Sequence, residues 1–185
     1  KVAEYIELDN FARYMAITAW LSDLDGILGP GQNFYLYLHQ KTQKFSFIPW
    51  DQDQAFGQFP RGTEEARENL SIQKPWSGEN RFLAKVFKVE AFRKAYLQRF
   101  NEFSTGIFQP ERIEKQVDEL ANILRAPLQE ESPEKLAEMN KAASGQKVSI
   151  SMGPGFSGPI MTKPIKPFVE ARVKSVKDQL AGKSE

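Results

Sequence analysis

The sequence predicts an α+β fold, mainly helical, with one small β-hairpin set into a helical body. Two observations carry this reading. Residues 34–49 read as two short strands rich in aromatic and β-branched residues around a polar turn, and six other stretches repeat apolar residues at helical intervals. A length of 185 residues, 41% hydrophobic and 26% charged, suits one globular domain with its own core.

Taken in order, "LDNFARYMAITAWLSDL" places Leu8, Phe11, Tyr14, Met15 and Thr18 on one helical face, so a core helix is expected over about 8–23, with Asp9-Asn10 as its cap. "DGILGPGQ" must be a loop. "NFYLYLHQ" and "KFSFIPWD" follow as strands around "KTQ", with Phe34, Leu36 and Leu38 on one face and Tyr35, Tyr37 and His39 on the other. Residues 58–78, broken by Pro60 and Pro75, read as an irregular excursion. Helices are then expected over 80–89, 90–108, 109–129 and 132–144. The third starts with Pro110 and carries a stripe of Ile113, Val117, Leu120, Ile123 and Leu124; the fourth is capped by Ser132. A Gly/Pro-rich segment over 145–164 precedes a terminal helix over 165–182, whose Lys166, Arg172, Lys174 and Lys177 read as a solvated face. "GPGFSGP" (153–159) lacks the Lys-Ser/Thr of a phosphate loop and reads as structural.

Composition removes several functions. There is no cysteine, so zinc clusters, thiol catalysis and disulfides are excluded; a single histidine excludes a His-rich metal site. A net charge of +1 gives no field toward nucleic acid, and no apolar run is long enough to span a membrane.

What remains is oxygen chemistry. Asp23, Asp25, Asn33, Asp51 and Asp53 crowd into 31 residues around the hairpin. Hard carboxylate and amide oxygens suit Mg²⁺ or Mn²⁺, which fill their shells with water and phosphate oxygens. A loop aspartate, an amide opening a hairpin and an aspartate closing it follow the order of a protein kinase: catalytic Asp, metal-binding Asn, two strands, then the Asp of Asp-Phe-Gly. Each residue also has a plainer reading: Asp51 and Asp53 as strand-end turn residues, Asn33 as a turn cap, Asp25-Gly26 as a turn pair. Trp50 and Phe56 read as core or pocket-wall residues, and His39 as a surface residue.

The stretch "DLDGILGPGQNFYLYLHQKTQKFSFIPWDQDQAFG" resembles the central block of the spore coat protein H (CotH) kinase family, above all in "IPWDQDQAFG". "NRFLAKVFKVEAFRKAYLQRFNEF" and "FVEARVKSVKDQL" resemble that family's helical C-terminal part. The resemblance implies the C-terminal lobe of an atypical, protein-kinase-like fold, with 24–57 as metal and catalytic block and 80–185 as helical part of one domain over 1–185. It implies Asp25 as catalytic residue, with Asp23 its rival because the loop between Asp25 and Asn33 is long and Gly-rich. It further implies Asn33 and Asp51 as the residues binding the metal–nucleotide cofactor, with Asp53 a further metal ligand. ATP, Mg²⁺ and a protein acceptor of the coat-protein kind are the implied cofactors and partners.

The family's nucleotide-gripping lysine and glutamate lie upstream of this block, and only 24 residues precede Asp25. A fragment lacking the N-terminal lobe, and inactive when isolated, is therefore expected. The resemblance also implies an exported or cell- or spore-surface location. Fungal relatives implied to be adhesins give a second reading: a non-catalytic surface-binding module in which the carboxylates hold a structural cation and residues 58–78 form a contact loop.

Overall fold

A computed structural model describes residues 2–150 and 159–184. The elements are α1 (Val2–Tyr5), α2 (Leu8–Trp20), β1 (Phe34–Leu38), β2 (Phe45–Pro49), α3 (Glu64–Glu68), α4 (Arg81–Val86), α5 (Glu90–Thr105), α6 (Pro110–Glu131), α7 (Pro133–Ala143), β3 (Val148–Ile150), β4 (Ile160–Thr162) and α8 (Ile165–Leu180). The chain is mainly helical, with two antiparallel two-stranded hairpins, β1–β2 and β3–β4.

Helix α2 is the central rod. Phe11, Met15, Ala16, Ala19 and Trp20 on it are wholly inaccessible, so it is covered on nearly every side rather than along one stripe. The α5 residues Phe92, Tyr96 and Phe100, spaced by four, lie against it as an aromatic ladder, with Phe11 and Phe92 centroids 5.4 Å apart. Trp20 stacks on Phe108 at 3.9 Å, which closes the far end of the core.

The helix ends at Trp20, three residues before the expected stop, because Leu21 caps it and Ser22 turns into the left-handed region at φ 48°. Ser22 Oγ donates to the Arg67 carbonyl at 2.6 Å, tying the turn to the excursion that follows the hairpin. The Asp9-Asn10 cap is likewise corrected. Glu7 occupies the cap position, and Asn10 instead accepts the Phe47 N–H at 3.1 Å, fastening α2 to β2.

Residues 58–78 are not irregular throughout. Thr63 caps α3 by accepting the Ala66 N–H at 3.1 Å. Ile72 is fully buried; its N–H donates to Gln179 Oε1 at 2.8 Å and its carbonyl accepts from Tyr96 at 2.9 Å. Arg67, Ile72 and Pro75 anchor the segment in the core, while Arg61, Thr63, Glu65, Asn69, Gln73 and Lys74 stay exposed. Within 145–164, read as a Gly/Pro-rich segment, β3 and β4 pair in the register Val148↔Thr162. Ion pairs of Lys147 with Glu64 and of Lys163 with Glu68 moor this hairpin to α3. Of the "GPGFSGP" motif, all but Pro159 lies outside the described residues.

Two further expectations change. The α6 stripe is only partly covered: Ile113 and Ala121 are buried, while Leu120, Ile123 and Leu124 stay exposed. Arg172 is the opposite case. Read as part of a solvated face, it is completely buried. Its guanidinium donates to the carbonyls of Trp20 (3.0 Å), Ala19 (2.9 Å), Glu68 (3.1 Å) and Leu70 (2.7 Å), joining α8 to the end of α2 and to the excursion. Burial lowers its pKa to about 10, so it remains charged at neutral pH.

Arg172→Met leaves buried carbonyls without a donor and is expected to lower unfolding free energy by roughly 3 kcal/mol or more. Arg172→Lys should not restore it, since a point ammonium cannot reproduce the fork. Urea denaturation measures both, and a methionine variant as stable as wild type would contradict the assignment.

Candidate functional site

The hairpin brings its two sequence ends to one place. Trp50 N–H donates to the Asn33 carbonyl at 3.1 Å, one step beyond the Phe34↔Pro49 pair, so Asn33 and Asp51 flank the same open end. Both take left-handed backbone, at φ 59° and φ 49°. Asn and Asp are the side-chain-bearing residues that accept this conformation most readily, so the same two residue types serve turn geometry and site chemistry. Phe56 at φ 58° is a bulky residue in that region, held by its edge-on contact with Phe168 at 6.3 Å and by the neighbouring Gly57 N–H, which donates to the Leu21 carbonyl at 3.1 Å. Gly57 itself, at φ 66°, has no room for a side chain, since a Cβ would sit 2.6 Å from Phe168 Cε2.

Asp25 is the best-held carboxylate of the group. Its Oδ1 accepts from Gln32 Nε2 at 3.0 Å and its Oδ2 from Asn33 Nδ2 at 3.0 Å, while Asn33 Nδ2 also reaches the Asp25 carbonyl at 2.9 Å. Burial raises the Asp25 pKa; the two amide donors oppose this, and the charges of Asp53 and Asp51 push in the same direction as burial. Those charges place all three carboxylates within electrostatic reach. Because Asn33 spends its amide nitrogen on Asp25, its Oδ1 is the atom left for a cation.

Asp23 behaves differently. It is 1% exposed; Oδ1 accepts the Asp25 N–H at 3.3 Å, and Oδ2 has no hydrogen-bond partner. Burial raises its pKa to about 6, with the Asp25 N–H acting against this and the Asp25 and Asp53 charges adding to it. Asp23 lies beneath the loop, fixing the Asp25 backbone, whereas Asp25 faces the open side. Asp51 and Asp53 are exposed and enter no ion pair among the described residues.

Among the described residues no three His, Cys, Asp or Glu side chains stand close enough to enclose a metal. The donor set is therefore one amide oxygen and separated carboxylates. Such oxygen donors are of the kind that suit Mg²⁺ completed by water and phosphate oxygens.

Trp50, expected in the core or in a pocket wall, is 57% exposed and meets Tyr35 edge-on. His39 is half-buried and bonded to Ser46 Oγ at 2.9 Å. Phe56 meets expectation as a wall residue. With Asp53, Leu120, Ala121, Leu124 and Ile165 it lines an apolar cavity of about 380 Å³ beside the site. Gln32 was absent from the sequence reading. Its signal was available, since it is the one polar side chain between Asp25 and Asn33.

A protein-family model described as "CotH kinase protein" matches residues 1–151. No curated protein matches the chain.

Asp23 binds a proton more tightly folded than unfolded, so its contribution to stability is full below about pH 4 and is lost as pH rises through about 6. Asp23→Asn removes that loss. Its stability relative to wild type should rise by roughly 2–3 kcal/mol between pH 4 and pH 7.5. Melting curves at the two pH values measure this, and an unchanged difference would show that the carboxyl is not buried as described.

Proposed function

We propose, from the premise that the chain belongs to the CotH kinase family, that it forms the catalytic lobe of a kinase-like phosphotransferase moving the ATP γ-phosphoryl group to a protein hydroxyl. The observation that carries this reading is the convergence of Asp25, Asn33 and Asp51 at one end of the hairpin, with the Asn33 amide bridging to Asp25. Asn33 Oδ1 and Asp51 would hold Mg²⁺, with Asp53 beside them. When bound, the ion would supply neutralisation of the phosphate charge.

Asp25 does the acceptor's chemistry. Ionised and aimed by two amides, it accepts a hydrogen bond from the acceptor hydroxyl and takes its proton as the new O–P bond forms. Asp23 is too buried to meet a substrate, which supports Asp25 over it as the residue facing the acceptor. The lysine–glutamate pair that grips the nucleotide in this family would come from sequence upstream of the block, and a coat-like protein is the acceptor class the family suggests.

A surface-binding module with a structural cation is the competing reading. The test is Mg²⁺-dependent transfer from ATP to a protein acceptor by the natural-length protein. Asp51→Asn, which keeps a residue tolerant of the left-handed backbone and removes the charge, should lower the rate at least about a hundredfold while leaving the fold intact. Equal transfer by wild type and variant would end the proposal. So would a protein that metal alone stabilises against heat and that ATP with Mg²⁺ stabilises no further.

A further inference from the structure

Gln32 is the residue whose placement the proposed reaction has not yet used. It is exposed, yet its amide nitrogen is fixed on Asp25 Oδ1 at 3.0 Å, and ordering an exposed glutamine costs side-chain entropy. The rest of the loop, Gly26 through Gly31, has no side-chain hydrogen-bonding group to offer. Adjacent residues in an extended strand point to opposite faces. Here Gln32 and Asn33 reach the same carboxylate, and the left-handed turn at Asn33, following one at Gly31 (φ 81°), breaks the alternation that would separate them. The backbone is bent in a way that gives each Asp25 oxygen its own amide donor.

The chemistry explains why two donors matter. A divalent cation held at Asn33 and Asp51 attracts any free carboxylate nearby, and Asp25 is within reach of the Asp51 and Asp53 charges. With Asn33 alone, Asp25 could pivot about that single bond toward the cation and leave the acceptor. A second donor on the other oxygen fixes the plane of the carboxylate. The unused lone pairs then face the open side.

We infer that Gln32 is a positioning residue that, together with Asn33, holds the Asp25 carboxylate off the metal and aimed at the acceptor hydroxyl. The inference rests on the phosphotransferase reading and deepens it.

Two measurements test it. The first needs no activity and uses this chain: the Gln32 side-chain amide resonances in a ¹⁵N-correlated NMR spectrum should lie away from those of solvent-exposed glutamines and move toward them in Asp25→Asn. Gln32 resonances at exposed-glutamine positions, and insensitive to Asp25→Asn, would overturn the inference. The second compares Gln32→Met, which keeps the length and removes the donor, with Gln32→Glu, which replaces the donor by an acceptor. In the natural-length protein both should lower kcat about tenfold, with KM for ATP and melting temperature unchanged. A methionine variant with wild-type kcat, or one altered only in KM for ATP, would overturn it. Undiminished transfer by Asp25→Asn would instead bring down the underlying reaction reading, so the two failures are distinguishable.

Discussion

The fully buried Arg172 guanidinium organises this molecule. Arg172 extends from α8 and gathers four carbonyl oxygens, two from the last turn of α2 and two from the excursion after the hairpin. No carboxylate partners it among the described residues; its charge is met by peptide dipoles alone. That solution suits a place where a helix end and a loop both present acceptors that would otherwise be buried unpaired. It also fixes the point from which the site departs. Ser22 and Asp23 follow directly from the clamped turn, and Gly57 returns to it through the Leu21 carbonyl. The loop bearing Asp25 and the motif bearing Asp51 therefore hang from one anchor.

Sequence pattern exposed some of this and hid the rest for identifiable reasons. The hairpin was legible because strand-forming residues flank a polar turn, and the later helices because their apolar spacing and Pro caps agree. Arg172 was misread because a basic residue among lysines looks solvated, and nothing local says that four carbonyls await it. The β3–β4 pair was missed because three-residue strands carry too little alternation, and the groups that tie them down, Glu64 and Glu68 on α3 and the Gln58 side chain, lie some eighty to a hundred residues away in sequence. The α2 terminus was overshot because Ser22, Asp23 and Leu24 continue the helical spacing, while the turn is decided by a bond to Arg67 forty-five residues away.

The site shows the same division. Which residues offer oxygen atoms around the hairpin could be read directly, since Asp25, Asn33, Asp51 and Asp53 are chemically conspicuous. Their separation into roles could not. Asp23 and Asp25 differ by two positions and by nearly every physical property: one is sealed under the loop with an orphaned oxygen, the other is half-exposed with both oxygens engaged. Only the fold of the loop separates them.

The left-handed turns at Asn33 and Asp51 have a consequence for lineages that have given up catalysis. Under the proposed reaction those positions answer to the backbone as well as to the chemistry, so a degenerate descendant would still gain by keeping Asn, Asp or Gly there, and an intact motif is poor testimony to a working enzyme. Gln32 is under no such double obligation, for its backbone is ordinary and its side chain supports nothing else. Genetic drift would erode it first, which makes the residue beside the motif a better witness than the motif itself.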